Sequence, residues 1–114
     1  MIMIYSLDRV KAMSEGDDDF VMSIITLFLE EIPADLLVLG EAITRRDFEQ
    51  TYQTAHKMKP NLEIMGMDAS RALAYDIELL GKKQGDFAEI ERKYAELSLH
   101  IAQAEKEIRA DFSM

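Results

Sequence analysis

The chain has two histidines and no cysteine, so nucleophilic, ligating or proton-carrying chemistry near neutral pH falls to His56 and His100. Without cysteine there is no thiolate nucleophile, no disulfide framework and no sulfur-ligated zinc or iron–sulfur site. His56 stands between Lys57 and Lys59 in the run Ala55-His56-Lys57-Met58-Lys59-Pro60. An imidazole with a pKa near 6.5 is largely neutral at pH 7, so one ring nitrogen is free to attack an electrophile without a dedicated base. At about 100° per residue, Lys59 lies one turn further along a helix and roughly 60° around it, close enough to meet an anion held on the imidazole. Lys57 points another way. Taken alone, the three side chains are equally compatible with a solvated helix face. His100 follows Glu96 by one turn in a run that includes Glu105 and Lys106, and it reads as a surface histidine.

Two other chemistries find no support. A carboxylate-bridged metal centre in a helical bundle needs inward Glu-x-x-His pairs, but the residues three before His56 and His100 are Gln53 and Leu97. A hydrolase built on His56 needs a partnered nucleophile or a paired carboxylate, and Glu63, two turns away, is poorly placed. No metal and no cofactor is expected.

The elements that position His56 are helices, because apolar residues recur at helical spacing and strand-like alternation is absent. A short first helix starts with Ser6 as N-cap and runs to about Met13, with Gly16 as its stop. Asp17, Asp18 and Asp19 favour the start of a second helix, whose face carries Phe20, Val21, Ile24, Ile25, Phe28 and Ile32 before Pro33 kinks or ends it. Ala34 to about Arg45 aligns Leu36, Leu39 and Ile43. Asp47 and Gln50 have capping-box spacing and open the histidine helix, with its stripe Phe48, Tyr52, Ala55 and Leu62 and Met58 at the edge. His56 lies more than a quarter-turn from the centre of that stripe and reaches solvent. Gly66 is placed to terminate this helix in a left-handed conformation, and Asp68 to cap the next, which runs through Leu73, Ile77 and Leu80 and is closed by Gly81 and Gly85. Asp86 with Glu89 opens a last helix of some 20 to 25 residues, roughly 30 to 37 Å.

Short connections between long amphipathic helices imply antiparallel neighbours. The expected fold is all-α: an up-down antiparallel four-helix bundle with a short extra N-terminal helix, forming one domain over residues 1–114. With 22 acidic and 13 basic residues the net charge is −9, a field that repels nucleic acid and anionic membranes. The longest uncharged stretch, Phe20 to Leu29, is about half of what spans a bilayer, and the amino terminus lacks a basic n-region and a cleavage site. A cytoplasmic, monomeric protein is expected.

The run from Ala55 to Gly66 resembles the signature of histidine-containing phosphotransfer (HPt) domains: a histidine, an aliphatic residue at plus two, lysine at plus three, usually glycine at plus four, and glycine at plus ten. His56, Met58, Lys59 and Gly66 fit. Phe28-Leu29-Glu30-Glu31, the Asp47 helix start and Ile77-Glu78-Leu79 also look like family positions. Pro60 departs from the glycine usual at plus four, and Asn61 from the small hydroxyl residue common after it. A helical proline offers no N–H to the carbonyl of His56 and crowds it, so a kink or widened turn is expected just after the histidine.

The resemblance implies a free-standing phosphotransfer protein of a multistep two-component relay. His56 would accept a phosphoryl group from the aspartyl phosphate of a receiver domain, or from a hybrid histidine kinase carrying one, and pass it to another receiver aspartate. Lys59 would stabilise the phosphoryl group, Gly66 would be the family's helix-terminating glycine, and the metal ion and other cations would come with the receiver. It implies a phosphoryl carrier rather than a kinase, with no nucleotide-dependent activity, in agreement with the absence of a glycine-rich phosphate loop. The alternative is a degenerate HPt-like module that binds receivers or regulators without carrying phosphate. For docking, Leu36-Leu37-Val38-Leu39 cannot all turn inward and Val38 is the residue left outside, while Met58 and Met65 offer an adaptable contact surface.

Overall fold

The computed structural model describes residues 4–114, so the first three residues of the expected 1–114 domain lie outside the described residues. The described chain is all helical: α1 (Asp8–Ser14), α2 (Asp18–Thr44), α3 (Phe48–Ile64), α4 (Asp68–Lys82) and α5 (Phe87–Asp111). Successive long helices pack against each other, α5 returns to α2, and α1 lies on α2. Side-chain pairs fix the directions: Asp35 and Glu31 of α2 meet Lys57 and Asn61 of α3, and Asp76 and Ser70 of α4 meet Lys93 and His100 of α5. Each pair runs antiparallel, which gives the up-down bundle, 44 Å long. No helix is long and apolar enough to cross a membrane among the described residues.

Local chemistry sets most helix ends. Asp17 caps α2 by accepting from the amides of Asp19 and Phe20, Asp47 caps α3 through the Gln50 amide, and Asp86 caps α5 through Ala88, each satisfying donors that a helix start leaves free. The α3 box is half made, because Gln50 turns its side chain to Thr54 (2.9 Å). Ser6 is one residue short of the N-cap of α1, which is Leu7, though its Oγ accepts from the Asp8 amide at 3.2 Å. Asp68 does not cap α4; it is the first helical residue and binds Arg9 instead.

Both prolines lie inside helices. α2 continues through Pro33 and α3 through Pro60, so the break allowed at Pro33 does not occur, and the widened turn expected after His56 is not formed, since α3 stays α-helical to Ile64. Tertiary packing overrides the local cost: Phe28, Ile32, Leu39 and Ile43 on either side of Pro33 are buried in one core, as are Ala55, Met58 and Leu62 around Pro60. Each of the large side chains buried this way contributes about 1.5–3 kcal/mol, enough together to offset roughly 3 kcal/mol per interior proline.

The core runs from Tyr5 to Ile108. Met58 and Met65 are fully buried in it, so the contact surface expected of them is absent: both sit on the inward face of α3 and at its end. Gly81 likewise does not close α4 but lies within it, where an added Cβ would come 2.9 Å from the Tyr52 Cβ. It lets α4 approach α3 closely one turn before His56. Val38 and Leu37 are exposed on α2.

Candidate functional site

His56 projects from the middle of α3 with 66% of its side chain exposed. Its apolar neighbours explain this: Ala55, Met58 and Leu62 take the core positions, and at 100° per residue the imidazole falls on the far edge of that face. Its Nδ1 lies 2.8 Å from Oε2 of Glu78 on α4. Glu78 follows Ala74 by one turn and precedes Gly81 by three residues, all on the buried side of α4, so the carboxylate is carried into the α3–α4 seam and is only 3% exposed.

Three cationic or potentially cationic groups converge on that carboxylate. Lys59 Nζ stands 2.5 Å from Oε1, a close ionic contact to an oxygen that is itself buried. Lys82, one turn after Glu78 at the end of α4, places Nζ 3.3 Å from Oε2. Burial alone would push the Glu78 carboxyl upward; the contacts from Lys59, His56 and Lys82 outweigh it and hold the group below the ordinary carboxylate value. Glu78 is therefore ionised at neutral pH. An ionised carboxylate can only accept, so Nδ1 carries the ring proton and the lone pair of neutral His56 is on Nε2. Among the described residues, that nitrogen has no hydrogen-bond partner.

Of the residues singled out by sequence, His56 and Lys59 are brought together, but through Glu78. The Lys59 side chain is 15% exposed, its Nζ lies 5.1 Å from the Tyr75 ring centroid, and its charge is directed at the carboxylate. Lys57 leaves the site for Asp35 on α2 (2.9 Å); the hydrogen bond and charge of Asp35 raise its pKa. Gly66 is remote from His56: it ends α3 at φ +68°, and a Cβ there would come 2.7 Å from the Ser6 Cβ. His100 is half-buried with Nδ1 3.2 Å from Ser70 Oγ, a more enclosed position than a surface histidine.

Sequence reasoning placed Glu78 in a family-like segment and gave it no role. A charged residue among Ser70, Ala74, Ile77 and Gly81 on the buried side of an amphipathic helix was its only local signal. Lys82 was not singled out at all. With Tyr52, Gln53, His56 and Glu78 it lines a shallow pocket of ≈ 250 Å³ beside the imidazole. Among the described residues, no three His, Asp or Glu side chains gather as a metal site.

Comparisons with known proteins bear on this geometry. The chain superposes on the crystal structure of the HPT domain from the Hpt sensor hybrid histidine kinase from Shewanella with a TM-score of 0.80, over 95% of this chain and 92% of that one, at 18% identity. That likeness establishes the fold. No curated protein matches the chain in sequence. The family model described as "Hpt domain" matches residues 23–107, a span that contains α3, α4 and the whole His56–Glu78–Lys59–Lys82 cluster, and by that match the chain belongs to the Hpt domain family.

Proposed function

We propose that this domain carries phosphoryl groups on His56 between receiver domains of a two-component phosphorelay, with hybrid histidine kinases among its partners. The observation that supports it is an imidazole exposed on a helix while its Nδ1–H is held by a buried, ionised carboxylate. In the step proposed, a partner brings its aspartyl phosphate over the ring, and the Nε2 lone pair attacks phosphorus. The N–P bond forms as the acyl O–P bond breaks, and the aspartate carboxylate leaves with the bonding electrons. The proton stays on Nδ1, where Glu78 faces the positive charge that the substituted ring acquires. Attack by a second receiver's aspartate reverses the sequence.

No general base is needed, because the neutral tautomer already presents the lone pair. Glu78 is a positioning residue: it fixes the ring plane and the tautomer, as a carboxylate partner does for a ligating histidine. Lys59 lends its charge to phosphate stabilisation from behind this carboxylate, and phosphoryl transfer responds chiefly to such placement of charge. Gly66 holds the end of α3 on which His56 is mounted.

The test is to mix a purified receiver, phosphorylated with radiolabelled phosphate, with this protein and its His56→Gln variant. The expected outcome is acid-labile label on the wild type and none on the variant. Receiver binding without label transfer would favour the degenerate interaction module instead.

A further inference from the structure

The cation expected at the phosphoryl group, Lys59, is the one least free to go there. It is the most buried of the three lysines around His56, it is 2.5 Å from Glu78 Oε1, and its ammonium lies over the Tyr75 ring. Moving it outward would strip a carboxylate that is 3% exposed of its nearest charge, and leaving a buried charge unpaired is costly. Lys57 is exposed but bound to Asp35 on the α2 side.

Lys82 has the opposite properties. Its side chain is 54% exposed, its distance to Glu78 is the longest of the three cationic contacts at 3.3 Å, and a mobile four-carbon stem carries its ammonium. It shares oxygen Oε2 with His56 Nδ1 (3.3 and 2.8 Å), so those two nitrogens are within about 6 Å of each other; Nε2 lies across the same ring, and the flexible stem lets the ammonium swing from Oε2 toward an anion held there. The pocket that it lines with Tyr52 and Gln53 opens beside the imidazole. If Lys82 leaves, Glu78 keeps both Lys59 and the imidazole.

We propose that Lys82 is the cation that contacts the phosphoryl group on His56, exchanging its outer contact with Glu78 for a phosphoryl oxygen, while Lys59 remains as the clamp on Glu78. The two lysines thus divide the work: one holds the carboxylate that orients the ring, the other follows the charge that arrives. The role rests on His56 as phosphoacceptor, and its test is chosen to stand apart from any receiver.

The protein is phosphorylated with phosphoramidate, a small donor whose P–N bond breaks to release ammonia as Nε2–P forms, and the phosphohistidine is titrated by phosphorus NMR. Lys82→Met should raise the second ionisation of the phosphoryl group by about one pH unit, the size of one lost charge-assisted hydrogen bond. Lys82→Arg should restore it, and Lys59→Met should move it less. The shift should persist in a Glu78→Gln background, because a lysine acting only by holding Glu78 would have no effect there. A titration of Lys82→Met that superimposes on wild type, a shift that vanishes with Glu78→Gln, or a larger shift from Lys59→Met would overturn the proposal. Failure of phosphoramidate to label His56 would overturn it together with the carrier function, whereas labelling without exchange to any receiver would overturn the relay and leave the Lys82 contact standing.

Discussion

Glu78 follows His56 by twenty-two residues on the next helix, yet its Oε2 and the His56 Nδ1 are 2.8 Å apart. One carboxylate, buried where a helix of this pattern would ordinarily carry an apolar residue, thereby sets the orientation of an exposed ring. Glu78→Gln keeps the volume and removes the charge. It should slow phosphoryl acceptance about 10- to 100-fold, the cost of losing a carboxylate that orients a histidine ring. It should also lower stability by about 2–3 kcal/mol in urea denaturation, because Lys59 is left without its partner. Replacing both, Glu78→Gln with Lys59→Met, should recover most of the stability and none of the rate. Recovery of the rate would show that Glu78 does not act on the ring.

The same carboxylate predicts an acid limit. Its folded pKa is below the ordinary glutamate value near 4.5, so the folded state binds its proton less readily than the unfolded chain does. The stabilisation is fully present above about pH 4.5 and is lost as pH falls through the depressed folded value. Urea midpoints measured from pH 6 down to pH 3 should fall more steeply for wild type than for Glu78→Gln. Parallel curves would count against it.

Tyr5 predicts the alkaline counterpart. Burial first, then the hydrogen bond to Asp111 and the charges of Asp111 and Glu107, push its phenol above the ordinary value of 10. An acid whose folded pKa is raised contributes stability below pH 10 that is lost as pH rises through the folded value. In ultraviolet titration one of the four tyrosines should therefore resist ionisation until the chain unfolds, and Tyr5→Phe should remove that late step.

Gly66 and Gly16 both have positive φ, +68° and +89°, but only Gly66 has a neighbour where a Cβ would point. Gly16→Ala should cost about 1 kcal/mol for backbone conformation alone. Gly66→Ala should cost at least about 2 kcal/mol, since Ser6 must also move. Equal losses by denaturant titration would mean that the contact with Ser6 carries no energy.

Pro60→Ala returns a donor to the carbonyl of His56 in a helix that is already continuous. It should raise stability by about 2–2.5 kcal/mol, the interior-proline cost less the stiffening that proline gives the unfolded chain. Labelling of His56 should survive. A lower melting temperature would show that the exposed ring makes a contact worth more than the hydrogen bond it removes.

The bundle was legible because its instructions are local. Asp17, Asp47 and Asp86 start their helices as their positions predict, and α5 has its expected length. What failed locally was overruled from outside the segment. Pro33 reads as a kink or a stop, yet the core on both of its sides holds α2 in one piece; Gly81 reads as a terminator, yet it is spent on the approach to Tyr52. At the site, the exposure of His56 follows from helical periodicity, whereas the roles of Glu78 and Lys82 depend on the register of α4 against α3, which no one-dimensional spacing contains.

The amino-terminal segment gives the family match a different meaning. That match spans residues 23–107, but Tyr5 and Val10 are core residues, the Ser6 amide donates to the Met65 carbonyl at 2.8 Å, Arg9 binds the Glu63 carbonyl and Asp68, and Tyr5 reaches Asp111. The cooperative unit is thus larger than the recognisable one. Excision at the borders of sequence similarity would remove a keystone, and when this site is transplanted into another chain the segment from Ile4 to Ser14 has to travel with it.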